Sequence, residues 1–307
     1  MIFGYLKKHP IKMQNIPVLT VQQKSLAEAF ENALVSLYNN GIPFKTQYDK
    51  QGFPSSLDCT MNITILEPEC DPMIHMAFPG GIEDLKEYVL ELKGFKDHWV
   101  KNINDHADTR WEYTYHGRLE KYGVWKEILE GKSVKKGPFC INQIEKVIEK
   151  LVKQPYTRQA QMITWMPNLD FDCYDPPCLQ SLWYRILEDE DGVQWLNCNI
   201  RFRSNDAWGA SFMNMFGFIQ FNREIIAGEI EQRSGKPVRL GRMNWQADSY
   251  HIYGKDIQTA KEMLFDRIDA MKFEERTFNF HDEFIQQLYA EAEPKIISKI
   301  AEYDMNH

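Results

Sequence analysis

Leu196-Asn197-Cys198-Asn199-Ile200-Arg201-Phe202-Arg203-Ser204-Asn205-Asp206 is the stretch that decides the fold class. Leu196, Cys198, Ile200 and Phe202 alternate with Asn197, Asn199, Arg201 and Arg203, the period-two pattern of a strand with one apolar and one polar face. Arg203 therefore stands at a strand end, on the polar side. The same alternation runs from Leu57 to Ile65, and further strands are read at Gln161 to Trp165 and Ser181 to Leu187. Helical spacing recurs instead at Leu26, Phe30, Ala33, Leu34 and Leu37, a run expected to stop at Gly41 in the left-handed conformation that ends helices. More helices are expected at Glu83 to Lys93, at Ile141 to Val152 with Ile141, Ile144, Ile148 and Leu151 buried, and at Phe212 to Ile230. Two others, Asp256 to Met271 and His281 to Tyr303, complete the chain. The order predicts an α+β fold, one mixed sheet backed by helices.

The chain has 307 residues, 43% of them hydrophobic and 13% aromatic, enough for a sizeable core. No repeat or Pro/Gly/Ser linker divides it, so one large domain is expected over 1–307. Its core lies at about 50–256, between an amino-terminal helical extension, 1–50, and carboxy-terminal helices, 256–307. A net charge of −8 argues against polymeric nucleic acid or a membrane surface as partner, and points to a small anion held by local arginines. Six cysteines at irregular spacings signal neither a zinc site nor a disulfide framework. Lys7 and Lys8 precede no apolar run long enough for a signal peptide, so a cytoplasmic protein is expected.

Cys178 follows Pro176-Pro177, which fix the backbone and aim the next side chain. Cys59 and Cys198, on the apolar faces of strands, read as core residues, whereas Cys178 reads as a nucleophile that a neighbouring arginine can activate. Arg158 and Arg203, beside strands, offer guanidinium forks suited to a phosphate.

These residues, with Asp248-Ser249-Tyr250-His251-Ile252-Tyr253, resemble the thymidylate synthase family, nearest its archaeal-type branch, over about residues 74–256. Arg158 precedes Trp165, and Arg203 precedes Asn214, at the family's intervals. The resemblance implies that Cys178 adds to C6 of a pyrimidine nucleotide. Arg158, Arg203 and Ser204 bind its phosphate, Asn214 reads the base, and His251 and Tyr253 hold the sugar hydroxyl. Asp206 and Trp111 contact the folate, Asp206 being taken as catalytic too, and Glu87, with Glu83 as its rival, moves protons. Tyr113, Tyr115 and Arg118 form an aromatic wall against a pterin or a piece of core, and Tyr115 is taken as catalytic. The extra residue between Asp248 and His251 departs from the family's pattern, as do Leu179 and Gln159, and no familiar closing segment is visible in Ala301 to His307.

By the same resemblance the substrate is deoxyuridylate (dUMP), since Asn214 suits uracil where cytosine-specific relatives carry aspartate. The cofactor is 5,10-methylenetetrahydrofolate, and the assembly a homodimer with a shared phosphate site. Two products stay open: a methyl group, favoured by Asn214 and the archaeal-type similarity, or a hydroxymethyl group if water replaces hydride. An inactive nucleotide- or RNA-binding relative is the third reading.

Overall fold

A computed structural model describes residues 15–49, 51–133 and 140–306; Lys7 and Lys8 lie outside them. The chain opens with strand β1 (Val18–Gln23), helix α1 (Leu26–Asn40), β2 (Ile42–Phe44), β3 (Ser56–Ile65) and the short β4 (Ile74–His75). Helices α2 (Ile82–Leu92), α3 (Tyr115–Glu120), α4 (Trp125–Leu129) and α5 (Gln143–Lys153) lead to β5 (Ala160–Ile163) and α6 (Pro167–Asp170). The hairpin β6 (Leu179–Glu188) and β7 (Gln194–Asp206) follows. Next, α7 (Ser211–Phe221) passes through a π-helical segment, Asn222–Ala227, into α8 (Gly228–Ser234) and then β8 (Val238–Ile252). Short turns α9 (Ile257–Ala260) and α10 (Asp266–Ile268), strand β9 (Thr277–Phe278) and the long α11 (Glu283–Asn306) end the chain.

The main sheet runs β1-β3-β8-β7-β6-β5, with β2 added to β3. It is mixed: β1 pairs parallel with β3 and β7 parallel with β8, while the remaining pairings are antiparallel. The α+β expectation therefore holds. One face of the sheet carries Cys59, Met61, Ile63, Ile200, Phe202 and Trp245, all 1% exposed or less. Against them pack α1 and the almost wholly apolar α7, whose Phe212, Phe216 and Phe218 are likewise buried. Helix α2 lies on α7, and α11 on α2.

Three expectations are corrected. The segment assigned to an amino-terminal extension supplies β1, which pairs with β3 in register from Val18↔Thr60 to Gln23↔Ile65, and so belongs to the sheet. Gly41 ends α1 at φ −64°, not in the left-handed region. Glycine is needed there because a Cβ would stand 2.6 Å from the Leu37 carbonyl oxygen. Ile141, read as part of a buried stripe, is 43% exposed and bridges to Tyr122 ahead of α5.

A buried ion cluster fastens the start of the chain to its end. The Glu31 carboxylate on α1 accepts from Arg276 Nε at 3.0 Å and Nη2 at 2.8 Å, and lies 2.9 Å from His75 Nε2. Burial alone pushes the Glu31 carboxyl up, but hydrogen bonds from His75 and Arg276 outweigh it and hold the group below the ordinary glutamate value. A carboxyl lowered in the folded state stabilises fully above its unfolded value, and that contribution is lost as pH falls through the folded value. Replacing Glu31 leaves Arg276, 4% exposed, without its counter-charge. Glu31→Gln is expected to lower urea-measured stability by about 3 kcal/mol and to flatten the acid limb of the stability curve; a loss under about 1 kcal/mol contradicts this account.

Candidate active site

Strand register assembles the site. The Cys178 carbonyl accepts from the Arg203 backbone amide at 2.8 Å, which extends the β6–β7 ladder by one rung and seats the thiol beside Arg203. Along β7 and β8, Ser204 faces Ser249 and Asp206 faces His251, while across β8 and β3 His251 faces Asp58. Three strand ends thus converge with α2 and α7 on a cavity of about 520 Å³. Cys178, Ser204, Asp206, Asn214, His251, Tyr253, Tyr115 and Trp111 all line it, eight of the residues picked out from sequence.

Arg203 stands behind the thiol rather than on the cavity wall. Its Nη2 and Nε donate to the carbonyls of Pro176 (2.5 Å) and Pro177 (3.1 Å), so the guanidinium pins the turn that presents Cys178. Burial pushes the Cys178 thiol up, the Arg203 charge pulls it down, and the balance lies above the ordinary thiol value. In the ligand-free protein the sulfur is therefore protonated at neutral pH. Tyr115 Oη accepts from Leu179 N at 3.4 Å, so a tyrosine of α3 backs the nucleophile turn. Cys59 and Cys198 are buried with thiols pushed up to about 12 by burial, as core residues should be.

Asn214, in the first turns of α7, meets Tyr88 from α2. The Tyr88 hydroxyl donates to Asn214 Oδ1 at 2.5 Å, which fixes the amide and leaves its Nδ2 donors for the cavity it lines. Burial keeps Tyr88 protonated, its value raised well above the ordinary phenol. Asp206 Oδ1 accepts from the amides of Trp208 (3.0 Å) and Gly209 (2.9 Å). A Cβ on Gly209 would stand 2.6 Å from Asp206 Oδ2, so glycine is required for the carboxylate to sit there. Burial raises the Asp206 carboxyl against the pull of those amides.

The helix carboxylate is corrected. Glu87 does not line this cavity; Lys96 Nζ holds it at 2.5 Å. Glu91, one turn on, lines it instead, and burial pushes its carboxyl up to about 7 despite the Lys96 charge 3.8 Å away. Lys96 is itself buried and stacked over Trp99 and Trp111, at 5.1 and 5.5 Å from the ring centroids. Glu83, the rival, pairs with Lys299 of α11. The sequence signal for Glu91 was present, since Glu87 and Glu91 share a helix face. Which of the two meets the cavity depends on the tilt of α2 and on the Lys96 tether.

Arg158 is also not brought in. It is exposed at the start of edge strand β5, where its backbone carbonyl accepts from Trp183 Nε1. Arg118 is core, not wall: only 1% exposed, it forms a bidentate pair with Asp170 at 2.8 and 3.2 Å and sits over the rings of Tyr113 and Trp125. Asp248 turns away to pair with Arg201 at 3.0 Å, and Asp58 on β3 takes its place as the acidic neighbour of His251.

The sequence profile of the family described as thymidylate synthase matches residues 85–292. A protein of Methanocaldococcus jannaschii is 28% identical over 241 residues, 77% of this chain and 91% of that protein. One of Methanosarcina acetivorans is 27% identical over 239 residues, 77% and 90% of the two chains. Both carry thymidylate synthase as a provisional name. Thermostable thymidylate synthase A from Bacillus subtilis superposes with a TM-score of 0.56 over 79% of this chain and 84% of its own, at 18% identity, a shared fold.

Proposed function

The chain belongs to the thymidylate synthase family, and from that premise we propose that it transfers a one-carbon unit to C5 of dUMP, with 5,10-methylenetetrahydrofolate as donor and dTMP as product. The observation that carries this reading is the convergence of Cys178, Asn214, Asp206 and His251 on one cavity with Arg203 behind the thiol. Among the described residues no helix is long and apolar enough to cross a membrane.

In this reading Ser204 takes the phosphate together with Nη1 of Arg203, the guanidinium nitrogen that the proline carbonyls do not use, and a symmetric second copy brings its Arg158 to the same group, which explains an arginine left exposed at a sheet edge. The Arg203 charge favours the Cys178 thiolate, and the thiol proton leaves to solvent in the open cavity. The sulfur then bonds to C6, the ring electrons move toward C5 and O4, and Asn214 Nδ2 donates to O4 as charge gathers there. Glu91, poised near neutrality, passes the proton that offsets this charge.

The cavity fits the donor: Trp111 and Tyr113 offer ring faces for a pterin, and Asp206 offers a carboxylate to its amino and ring N–H donors. When bound, that donor supplies carbon at the oxidation level of formaldehyde and, for a methyl product, a hydride. The string Arg203-Ser204-Asn205-Asp206, shared with hydroxymethylases of the family, keeps one alternative product in view, with water taking the place of hydride.

Incubation with dUMP and methylenetetrahydrofolate tests the proposal. Dihydrofolate and dTMP formed together support it, tetrahydrofolate with a hydroxymethylated nucleotide selects the alternative, and absence of both overturns it. The role given to Glu91 has its own test. The proton-bearing form is the active one, so kcat/KM is expected to fall as pH rises through about 7. Glu91→Gln should lower kcat by roughly 10²-fold and erase that limb, while Glu87→Gln keeps it. The reverse pattern returns the role to Glu87.

A further inference from the structure

Behind the cavity wall a second buried carboxylate, Asp58, stands in line with His251. The two are Cα partners across the β3–β8 ladder, and are 7% and 4% exposed. Ser249 joins them: its Oγ donates to Asp58 Oδ1 at 2.9 Å and lies 3.1 Å from His251 Nδ1. A β-bulge makes this possible. The register between β3 and β8 shifts by one residue where Asp248 and Ser249 oppose the Cys59–Met61 stretch. Asp248 is thereby left to Arg201, and Ser249 to the Asp58–His251 line.

We propose that Asp58 and Ser249 form a relay that fixes the tautomer of His251, so that its Nε2 faces the cavity as a bare acceptor and selects a ligand carrying a hydroxyl donor, the 3′-hydroxyl of a nucleotide sugar. The argument is one of proton count. An ionised carboxylate only accepts, so the single Ser249 proton goes to Asp58; the Ser249 oxygen can then only accept from the ring, which puts the ring proton on Nδ1. Burial lowers the imidazole against the Asp58 charge, so the ring is neutral and Nε2 carries a lone pair. Edge contacts from Phe44 at 6.1 Å and Tyr253 at 4.8 Å, between ring centroids, hold the ring in place. A 5′-monophosphate of deoxyribose has one free hydroxyl, and the acceptor picks it out.

The inference rests on the nucleotide reading of the cavity, and two measurements on the full chain separate the two. The first is the affinity of wild type, Ser249→Ala and Asp58→Asn for dUMP and for 2′,3′-dideoxyuridine 5′-monophosphate, by calorimetry. Wild type should prefer dUMP by about tenfold. Both variants should reduce that preference to about twofold or less through weaker dUMP binding alone, with the dideoxy affinity unchanged. Equal losses for both ligands, or an unchanged preference, overturn the relay. The second is the ¹⁵N shift pattern of His251 without ligand, where wild type should show a protonated Nδ1 and a bare Nε2, and Ser249→Ala should gain Nε2–H. An Nε2–H tautomer in wild type overturns the relay whatever the ligand results. Failure of wild type to bind either nucleotide, with the Nδ1–H tautomer present, removes the nucleotide reading and leaves the relay standing.

Discussion

Cys178→Ser is expected to lower turnover by ~10⁴-fold or more while dUMP still binds within a few-fold of wild type, because a serine hydroxyl at this site is far too weakly acidic to attack C6. The effect should be specific among the cysteines. Cys59 and Cys198, each 2% exposed or less, make no contact with the cavity, so their replacement by alanine should cost stability rather than catalysis. The thiol value, raised by burial and restrained by Arg203, adds a pH signature. Alkylation of Cys178 in the free enzyme should quicken as pH rises above the ordinary thiol range. Arg203→Ala should move that rise further up, because it removes a charge that favours the thiolate. Turnover of Cys178→Ser within tenfold of wild type contradicts the nucleophile assignment.

Asn214→Asp carries the second large effect. Tyr88 donates to Asn214 Oδ1, so in wild type the amide hydrogens point to the base, matching the O4 acceptor of uracil and clashing with the amino group of cytosine. A carboxylate reverses the match: both oxygens accept, Tyr88 still donates to one, and the other suits the cytosine amino edge. The expected result is a roughly 10²- to 10³-fold fall in kcat/KM for dUMP together with measurable turnover of deoxycytidylate. Tyr88→Phe should blur the discrimination without reversing it, since the amide is then free to rotate. If Asn214→Asp keeps its preference for uracil, the base is read elsewhere.

How much of this was legible in the chain depends on whether local pattern or tertiary placement decides each point. The strand from Leu196 to Phe202 and the first helix were readable because burial there follows an unbroken period. The long β8 was not, apart from its last residues. Its buried apolar positions run Val238, Leu240, Met243, Trp245, Ala247, Tyr250 and Ile252, and two bulges, after Leu240 and after Ala247, break the alternation. The second bulge turns Asp248 out of the site while Ser249 and His251 stay in line. Motif spacing picked out Cys178, Asn214, His251 and Tyr253, which strand ends and α7 bring to one cavity. It chose Glu87 where Glu91 lines the cavity, because residues one helical turn apart are equivalent in sequence and differ only in what packs on them. It could not see Asp58 or Tyr88 as partners, since both act through side chains that meet His251 and Asn214 from other elements, β3 and α2.

The central claim is a transient bond between Cys178 Sγ and pyrimidine C6, and a C5-blocked analogue tests it most directly. Fluorine at C5 cannot leave as the hydrogen does, so 5-fluorodeoxyuridylate with methylenetetrahydrofolate should halt the reaction after the carbon–sulfur bond has formed. Peptide mass spectrometry of the mixture is predicted to find the nucleotide on the peptide that contains Cys178 and on no other cysteine, with none in Cys178→Ser. An unmodified Cys178 in wild-type protein that demonstrably binds the analogue, or an adduct on Cys173 in its place, contradicts the account.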